Sequence, residues 1–176
     1  MNDCRGIEGI YPVNSTASSQ IIFIHGLMGS SQGTKARHLM EIFPGIVCPD
    51  FAGTLNERIQ KLEQIMSSRG GWKVIGSSLG GLMGAIYTCA NPERVEKLVL
   101  LAPAFTWPDF SPDLPGPVSV PAVIYHGKFD SIIPLDEMRI IAKKLFTNLT
   151  VNVVDDDHSL HKTIAAIDWR NLLEIA

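Results

Sequence analysis

The sequence predicts an α/β protein, a three-layer α/β/α sandwich with helices on both faces of a mostly parallel sheet of about six strands. Apolar runs rich in β-branched residues alternate along the chain with helical segments, which is typical of strand–helix–strand units with right-handed crossovers. The apolar runs are uninterrupted, as in strands that are covered on both faces. In such a sheet, functional side chains collect at the carboxyl ends of the strands.

The first part of the chain is predicted to hold two strands and two helices. Residues 1–19 mix Gly, Pro, Ser, Thr and Asn, and we expect a loosely structured lead-in there. The apolar run at 20–24 predicts the first strand, and a helix at 34–42 follows it, ended by a Pro-Gly pair. Residues 46–48 predict a short second strand. The segment 55–68 repeats its apolar residues every three to four positions, which predicts an amphipathic helix.

The middle of the chain continues the alternation and then breaks it. A strand at 72–75 leads into a helix at 79–90, whose glycines and alanine would let it lie close to the sheet. An apolar run at 95–101 predicts the fourth strand. Prolines recur between 102 and 120, where they preclude a long helix and predict a loop.

The last part of the chain predicts two more strands, at 121–125 and 149–154. A helix at 135–146 separates them, with a proline near its first turn, where proline is tolerated. A helix at 160–173 is predicted to end the chain.

Composition favours a compact protein, and we expect a single domain over residues 1–176, since 45% of them are hydrophobic and 19% are charged. The net charge of −3, without a Lys/Arg cluster, gives no general attraction to nucleic acid.

No signal-peptide pattern or membrane-length apolar run is present, so we expect a cytoplasmic protein with no membrane partner. Cys4, Cys48 and Cys89 are widely spaced, which favours reduced thiols over a zinc site or disulfides.

One motif stands at the junction of a predicted strand and a predicted helix. Residues 76–80 fit Gly-x-Ser-x-Gly with Ser78 at the centre, the pattern of a nucleophile elbow that holds a serine oxygen above the end of a sheet. Side chains two positions either side of the serine would collide at such a turn, and Gly76 and Gly80 remove that collision. Ser77 fails this test because neither of its flanking positions is glycine. The alternative is an ordinary Gly/Ser turn.

The chain also supplies the partners that a nucleophilic serine needs. A serine hydroxyl is activated by a base, and that base needs an orienting acid. Asp130 and His158 each follow a predicted strand, so they should reach the same edge of the sheet as Ser78. We therefore expect Ser78 as nucleophile, His158 as base and Asp130 as acid.

Other residues compete for two of these roles. His161 comes one helical turn after His158 and is better explained as a surface or capping histidine. Asp109 is a lesser alternative for the acid, and the acidic run 155–157 is better explained as a solvated polar loop. His25 and His126 each precede a glycine at the end of a strand, where a hydrogen bond to loop backbone explains them best.

Backbone N–H groups must stabilise the oxyanion that such a reaction forms. One donor should be the N–H of Leu79, which follows the serine at a helix N-terminus, where the helix dipole also favours negative charge. The second should come from the loop after the first strand, where Gly26 allows a close approach. Leu27 is the first choice there and Met28 the second.

The motifs together resemble the α/β-hydrolase superfamily. They are residues 25–31 (HGLMGSS), 76–81 (GSSLGG), 126–134 (HGKFDSIIP) and 157–158 (DH). The order serine, acid, histidine is also the order of that architecture. The small size and residues 33–36 resemble the small lidless serine esterases of bacteria. The resemblance implies hydrolysis of a carboxylic ester or thioester, without cofactor or metal.

The chain departs from the superfamily pattern in two places. The two leading antiparallel strands of the family have little room before residue 20, so we expect about six strands and not eight. The cap domain of many relatives is reduced to the loop 102–120. An open cleft should then be walled by apolar side chains from this loop and the loop after the first strand, namely Phe105, Trp107, Phe110, Leu27 and Met28, together with Leu79. Core packing is the alternative for the three aromatic residues.

The leading functional hypothesis is a serine esterase that acts on small to medium carboxylic esters through an acyl-enzyme on Ser78. The same triad would also serve a thioesterase, a peptidase or an acyltransferase, because the fold does not decide among these reactions. A hypothesis from another class is a hydrolase fold that binds ligands without catalysis. The sequence gives neither the physiological substrate nor the oligomeric state.

Overall fold

The computed structural model describes residues 20–108, 110 and 116–175. The predicted lead-in at 1–19 lies outside these residues. The strands are β1 (Gln20–Ile24), β2 (Trp72–Ser77), β3 (Val95–Leu101), β4 (Ala122–Gly127) and β5 (Leu149–Val154). The helices are α1 (Thr34–Ile42), α2 (Leu55–Met66), α3 (Leu79–Ala90), α4 (Leu135–Leu145), α5 (His161–Ala166) and α6 (Trp169–Leu172), and a short 3₁₀ turn spans Pro92–Arg94.

The five strands form one parallel sheet in the order β1-β2-β3-β4-β5. Each strand therefore lies beside the strand that follows it in sequence, and every carboxyl end reaches the same edge. The registers pair Ile24 with Gly76 and Ser77 with Leu101. The loops after β1, β2 and β3 are thus neighbours at this edge.

Helices cover both faces of the sheet, which confirms the predicted three-layer α/β architecture. Side chains alternate along each strand. Ile22 and Ile24 of β1 lie in the core with helices α2, α3 and α4, whereas Ile21 and Phe23 lie in the core with α1, α5 and α6. No cap domain is evident in the described part of the 102–120 loop.

The described residues form a sheet of five strands, which corrects the predicted count of about six. The expected strand at 46–48 is reduced to a single bridge, in which the Val47 N–H donates to Ile21 O and the Phe23 N–H donates to Val47 O, both at 2.9 Å. Pro49 lies two residues after Val47, where the next N–H of a parallel ladder would donate, and since proline carries no N–H, the ladder does not continue in that direction.

The predicted helix at 160–173 is also corrected, because it is broken in two. Ile167 has φ −68° and ψ 128°, an extended conformation that ends α5. The Asp168 side chain then accepts a hydrogen bond of 3.2 Å from the Asn171 N–H, which caps the start of α6. No helix in the described ranges is long and apolar enough to span a bilayer.

Candidate active site

Ser78 lies between β2 and α3, at the carboxyl edge of the sheet. Its φ of 55° and ψ of −119° are rare for a residue other than glycine. The turn is held in place because the Ser78 N–H donates to Leu101 O of β3 at 2.9 Å, and the Ala104 N–H donates to Ser78 O at 3.0 Å. Ser78 is half-buried, whereas the neighbouring Ser77 is buried.

The two glycines of the motif fit where no side chain would. A Cβ at Gly76 would lie 2.5 Å from the carbonyl oxygen of Gly80, and a Cβ at Gly80 would lie 2.5 Å from the carbonyl oxygen of His25. Both obstacles are backbone atoms, which cannot rotate away. The strand-to-helix turn at Ser78 therefore requires glycine at both positions.

His158 lies within hydrogen-bond distance of both Ser78 and Asp130. Its Nε2 is 3.0 Å from Ser78 Oγ, and its Nδ1 is 2.8 Å from Asp130 Oδ2. Because an ionised carboxylate only accepts hydrogen bonds, Nδ1 carries the proton and Nε2 is left to accept from the serine hydroxyl. The structure thus brings together the three residues that the sequence selected, in the geometry of a serine, its base and an orienting acid.

Asp130 is fixed by the turn that follows β4. Its Oδ1 accepts hydrogen bonds of 2.9 Å from the N–H groups of Ile132 and Ile133, while Oδ2 faces His158. The carboxylate is 1% exposed. Each oxygen therefore has a defined role, one toward the backbone and one toward the imidazole.

The loop that carries His158 is anchored by Asp156, a residue whose role the sequence did not reveal. Instead of being solvated as expected, Asp156 is buried. Its Oδ2 accepts from Thr163 N and Oγ1, both at 2.9 Å, and its Oδ1 accepts from the Asp157 N–H. Although burial alone would raise the pKa of Asp156, the hydrogen bonds from Thr163 and Asp157 hold it below its ordinary value. The other members of the run, Asp155 and Asp157, are exposed.

The loop after β1 lies directly against the serine. A Cβ at Gly26 would lie 3.2 Å from Ser78 Cβ. His25 fixes the loop, because its Nδ1 donates to Gly26 O at 2.7 Å while its Nε2 accepts from the Phe51 N–H at 3.0 Å. This is the backbone-bonding role expected for His25. Leu27 is the next residue of this loop.

The first turn of α3 and the loop after β1 are the two places where the oxyanion donors were expected. Leu79 is the first residue of α3 and its side chain is 1% exposed. Leu27 and Met28 are 45% and 95% exposed. Free backbone N–H groups of the first helical turn have no partner within the helix. Leu79, the first residue of α3, is one of the residues whose N–H has no acceptor within the helix.

Of the competing residues, His161 is exposed at the first residue of α5, and Asp109 lies outside the described residues. Phe105 is 1% exposed and stacks on Phe110 with ring centroids 6.4 Å apart, and Trp107 and Phe110 are partly buried against the same core. The placement of Phe105 corresponds to core packing and not to a cleft wall.

Two exposed apolar side chains beside the acid were not selected from the sequence. Phe129 is 60% exposed and Ile132 is 63% exposed, and they lie one and two positions from Asp130. The signal that could have found them is the apolar character of the residues that surround the acid in a loop.

Comparisons with known proteins agree with this architecture. A sequence profile described as the alpha/beta hydrolase fold matches residues 28–116. Among solved structures, the chain is similar to alpha/beta hydrolase domain-containing protein 10 from mouse, with 19% identity over 92% of each chain and a TM-score of 0.71. It is also similar to an esterase from a marine microorganism, with 16% identity, 92% of this chain and 96% of that chain covered, and a TM-score of 0.70.

A third similar structure is Est1E from Butyrivibrio proteoclasticus with ferulic acid bound, with 16% identity over 88% of each chain and a TM-score of 0.70. A search of curated proteins found no match. Within the described residues, no group of three or more His, Cys, Asp or Glu side chains could hold a metal ion. This chain shares its fold with these proteins, and the shared fold supports the interpretation that the chain is a hydrolase.

Proposed function

The chain belongs to the alpha/beta hydrolase fold family, and on that premise we propose that it is a serine esterase that cleaves small to medium carboxylic esters. The observation that carries the proposal is the pair of hydrogen bonds that His158 makes: its Nε2 accepts from Ser78 Oγ at 3.0 Å and its Nδ1 donates to Asp130 Oδ2 at 2.8 Å. A nucleophile, its base and an orienting acid in contact are the arrangement that acyl transfer requires.

In the proposed reaction, Ser78 Oγ attacks the ester carbonyl while His158 Nε2 takes the hydroxyl proton. Asp130 keeps the imidazole in the correct tautomer and stabilises the imidazolium that forms. The tetrahedral intermediate collapses, and the imidazolium returns the proton to the leaving alkoxide, which departs as the alcohol. A water molecule then attacks the acyl-enzyme with His158 again as base, which releases the acid and restores Ser78.

The oxyanion of each tetrahedral intermediate needs donors that are already in place. We assign these to the N–H of Leu79 at the start of α3 and to the N–H of Leu27 in the loop after β1, with Met28 as the alternative to Leu27. The close approach of Gly26 to Ser78 supports the second assignment. The positive end of the α3 dipole adds to the first.

An ester with an apolar acyl group fits the surroundings of the serine best. Leu27 and Met28 are exposed beside the proposed oxyanion site, and Phe129 and Ile132 are exposed beside the acid. One of the similar structures is an esterase, and another holds ferulic acid, a carboxylic acid. Both support an ester substrate for this chain.

The proposal is tested with p-nitrophenyl acetate and butyrate. The wild-type protein should hydrolyse both, and Ser78→Ala should lower kcat by about 10⁶-fold, because the nucleophile is lost. Ser77→Ala is the matched control and should keep activity. A fluorophosphonate should label Ser78, and labelling at any other residue would exclude the mechanism.

A panel of thioesters, peptide amides and acyl acceptors extends the same assay, because a thioesterase, peptidase or acyltransferase would use the same three residues. A folded wild-type protein that neither turns over any of these substrates nor reacts with the fluorophosphonate would instead point to a hydrolase fold used for binding.

A further inference from the structure

A second histidine, His126, lies behind the acid of the candidate site and takes no part in the reaction proposed above. It stands near the end of β4 and its side chain is 0% exposed. Its Nε2 is 3.0 Å from the carbonyl oxygen of Ile133. Because a carbonyl can only accept, Nε2 must carry a proton and donate it to this hydrogen bond.

The same nitrogen also faces the acid. Nε2 of His126 is 3.6 Å from Asp130 Oδ2, the oxygen that accepts from His158. Asp130 Oδ2 therefore lies between two imidazoles. Ile133 links the two sides of this arrangement, because its N–H donates to Asp130 Oδ1 while its carbonyl accepts from His126.

His126 is held as the neutral imidazole. Burial lowers the pKa of His126 below its ordinary value, and it outweighs the charge of Asp130 and the hydrogen bond to the Ile133 carbonyl, which both act in the opposite direction. A neutral ring that donates through Nε2 has only a lone pair on Nδ1, and this atom has no partner among the described residues. An unsatisfied buried acceptor opposes folding. Packing alone does not explain it, since an apolar side chain would fill the space without that cost.

We propose that His126 is a positioning residue for Asp130: its Nε2–H fixes the Ile133 carbonyl, and with it the turn whose N–H groups orient the acid toward His158. The inference rests on the proposed function, since it gives His126 a task only where Asp130 orients a base. Without the donor, the Ile133 carbonyl would be buried without a partner, and the turn would rotate to satisfy it. Asp130 Oδ2 would then move away from Nδ1 of His158.

The test compares two substitutions of similar size and flexibility, His126→Gln and His126→Met, of which only the first can donate to the Ile133 carbonyl. His126→Met should lower kcat for p-nitrophenyl acetate by about 10²-fold, since a displacement of about 1 Å has this effect on a reacting group. KM should change little, because His126 does not face the substrate. His126→Gln should recover most of kcat, and the exposed His161→Met serves as the control.

A second measurement does not depend on turnover. The proton on Nδ1 of His158, bonded to Asp130, should give a strongly deshielded signal in the proton NMR spectrum of the wild type and of His126→Gln. The signal should be lost or clearly displaced in His126→Met. If His126 served only the packing of the core, His126→Met would lower the melting temperature and leave this signal in place.

The outcomes separate the two proposals. If His126→Met keeps both kcat and the deshielded signal, or if the Gln and Met variants behave alike, His126 does not position the acid. If the wild type hydrolyses no ester and resists the fluorophosphonate, the proposed function fails, and the NMR comparison still decides the role of His126. If His126→Met does not fold, His126→Asn replaces it, because its shorter amide does not reach the Ile133 carbonyl.

Discussion

The two carboxylate oxygens of Asp130 lie in different environments, and this difference predicts the effect of the single substitution Asp130→Asn. Oδ1 binds two backbone N–H groups and Oδ2 binds His158. In Asp130→Asn, the amide oxygen can satisfy the backbone, which leaves an NH₂ group facing Nδ1 and selects the wrong imidazole tautomer. We expect kcat for p-nitrophenyl acetate to fall by about 10⁴-fold while the fold is kept.

Asp157→Asn is the matched control for that substitution. Asp157 precedes His158 in sequence, but its Oδ1 accepts from the Ser159 N–H and its side chain faces solvent. The kcat of the Asp157→Asn variant should stay within a few-fold of the wild-type value. The reverse result, with Asp157→Asn inactive and Asp130→Asn active, would transfer the role of the acid to Asp157.

Sequence reasoning reached the candidate residues by their position at strand ends. Ser78, Asp130 and His158 each follow a strand, and parallel strands bring such residues to one edge regardless of their separation in sequence. The sequence predicted that His126 bonds loop backbone, as it does at Ile133, but neither the place of His126 beside the acid nor the burial of Asp156 had a comparable signal. Their roles depend on hydrogen bonds to Ile133 and Thr163 that arise from packing of loops and helices, and no spacing in the sequence encodes those contacts.

At the scale of elements, the loop after β5 carries the base of the candidate site, and Asp156 ties this loop to α5. In Asp156→Asn, one of the two carboxylate oxygens becomes an NH₂ group, which must face the N–H of either Thr163 or Asp157, so at least one backbone donor loses its acceptor. We expect the free energy of unfolding in urea to fall by about 1–3 kcal/mol. We also expect kcat to fall by about 10-fold or more, because His158 shifts with the loop.

The contribution of Asp156 should depend on pH. Its pKa is lowered in the folded state, so its stabilisation is fully present above the ordinary carboxyl pKa of about 4 and is lost as the pH falls through the folded-state value. The difference in unfolding free energy between wild type and Asp156→Asn should therefore shrink below about pH 4. The exposed Asp155→Asn is the control, and an equal loss of stability in both variants would contradict the anchoring role.

The elements themselves were predictable where an apolar pattern was long enough. The predicted bounds of α1, α3, β3 and β5 agree with the structure. The two corrections fall where local chemistry outweighed the pattern. Pro49 removed the next donor after Val47 from the expected strand at 46–48, and Asp168 began a new helix inside the expected segment 160–173. A cap of this kind is visible only once the backbone at Ile167 is seen to be extended.

At the scale of the whole molecule, exposed apolar side chains are distributed unevenly. Among the described residues, the exposed large hydrophobic side chains are Leu27, Met28, Phe129, Ile132, Ile140 and Val153. The first four belong to the two loops that flank the candidate site. Exposed apolar groups that collect at one place indicate a binding surface, whereas single ones are ordinary. The loops after β1 and β4 are therefore where we expect an acyl chain to lie.

Replacing Met28 and Ile132 together by serine tests this expectation. Both side chains are exposed, so the free energy of unfolding should change by no more than about 0.5 kcal/mol for each. Butyrate carries two more CH₂ groups than acetate, and each buried CH₂ contributes about 0.8 kcal/mol. The ratio of kcat/KM for p-nitrophenyl butyrate to that for the acetate should therefore fall by up to about tenfold in the double variant. Ile140→Ser, on the exposed side of α4, should leave the ratio unchanged. An equal ratio in the wild type and both variants would mean that the acyl chain lies elsewhere. A fall of the ratio in Ile140→Ser as well would mean that the loss of any exposed apolar side chain has this effect, wherever it lies.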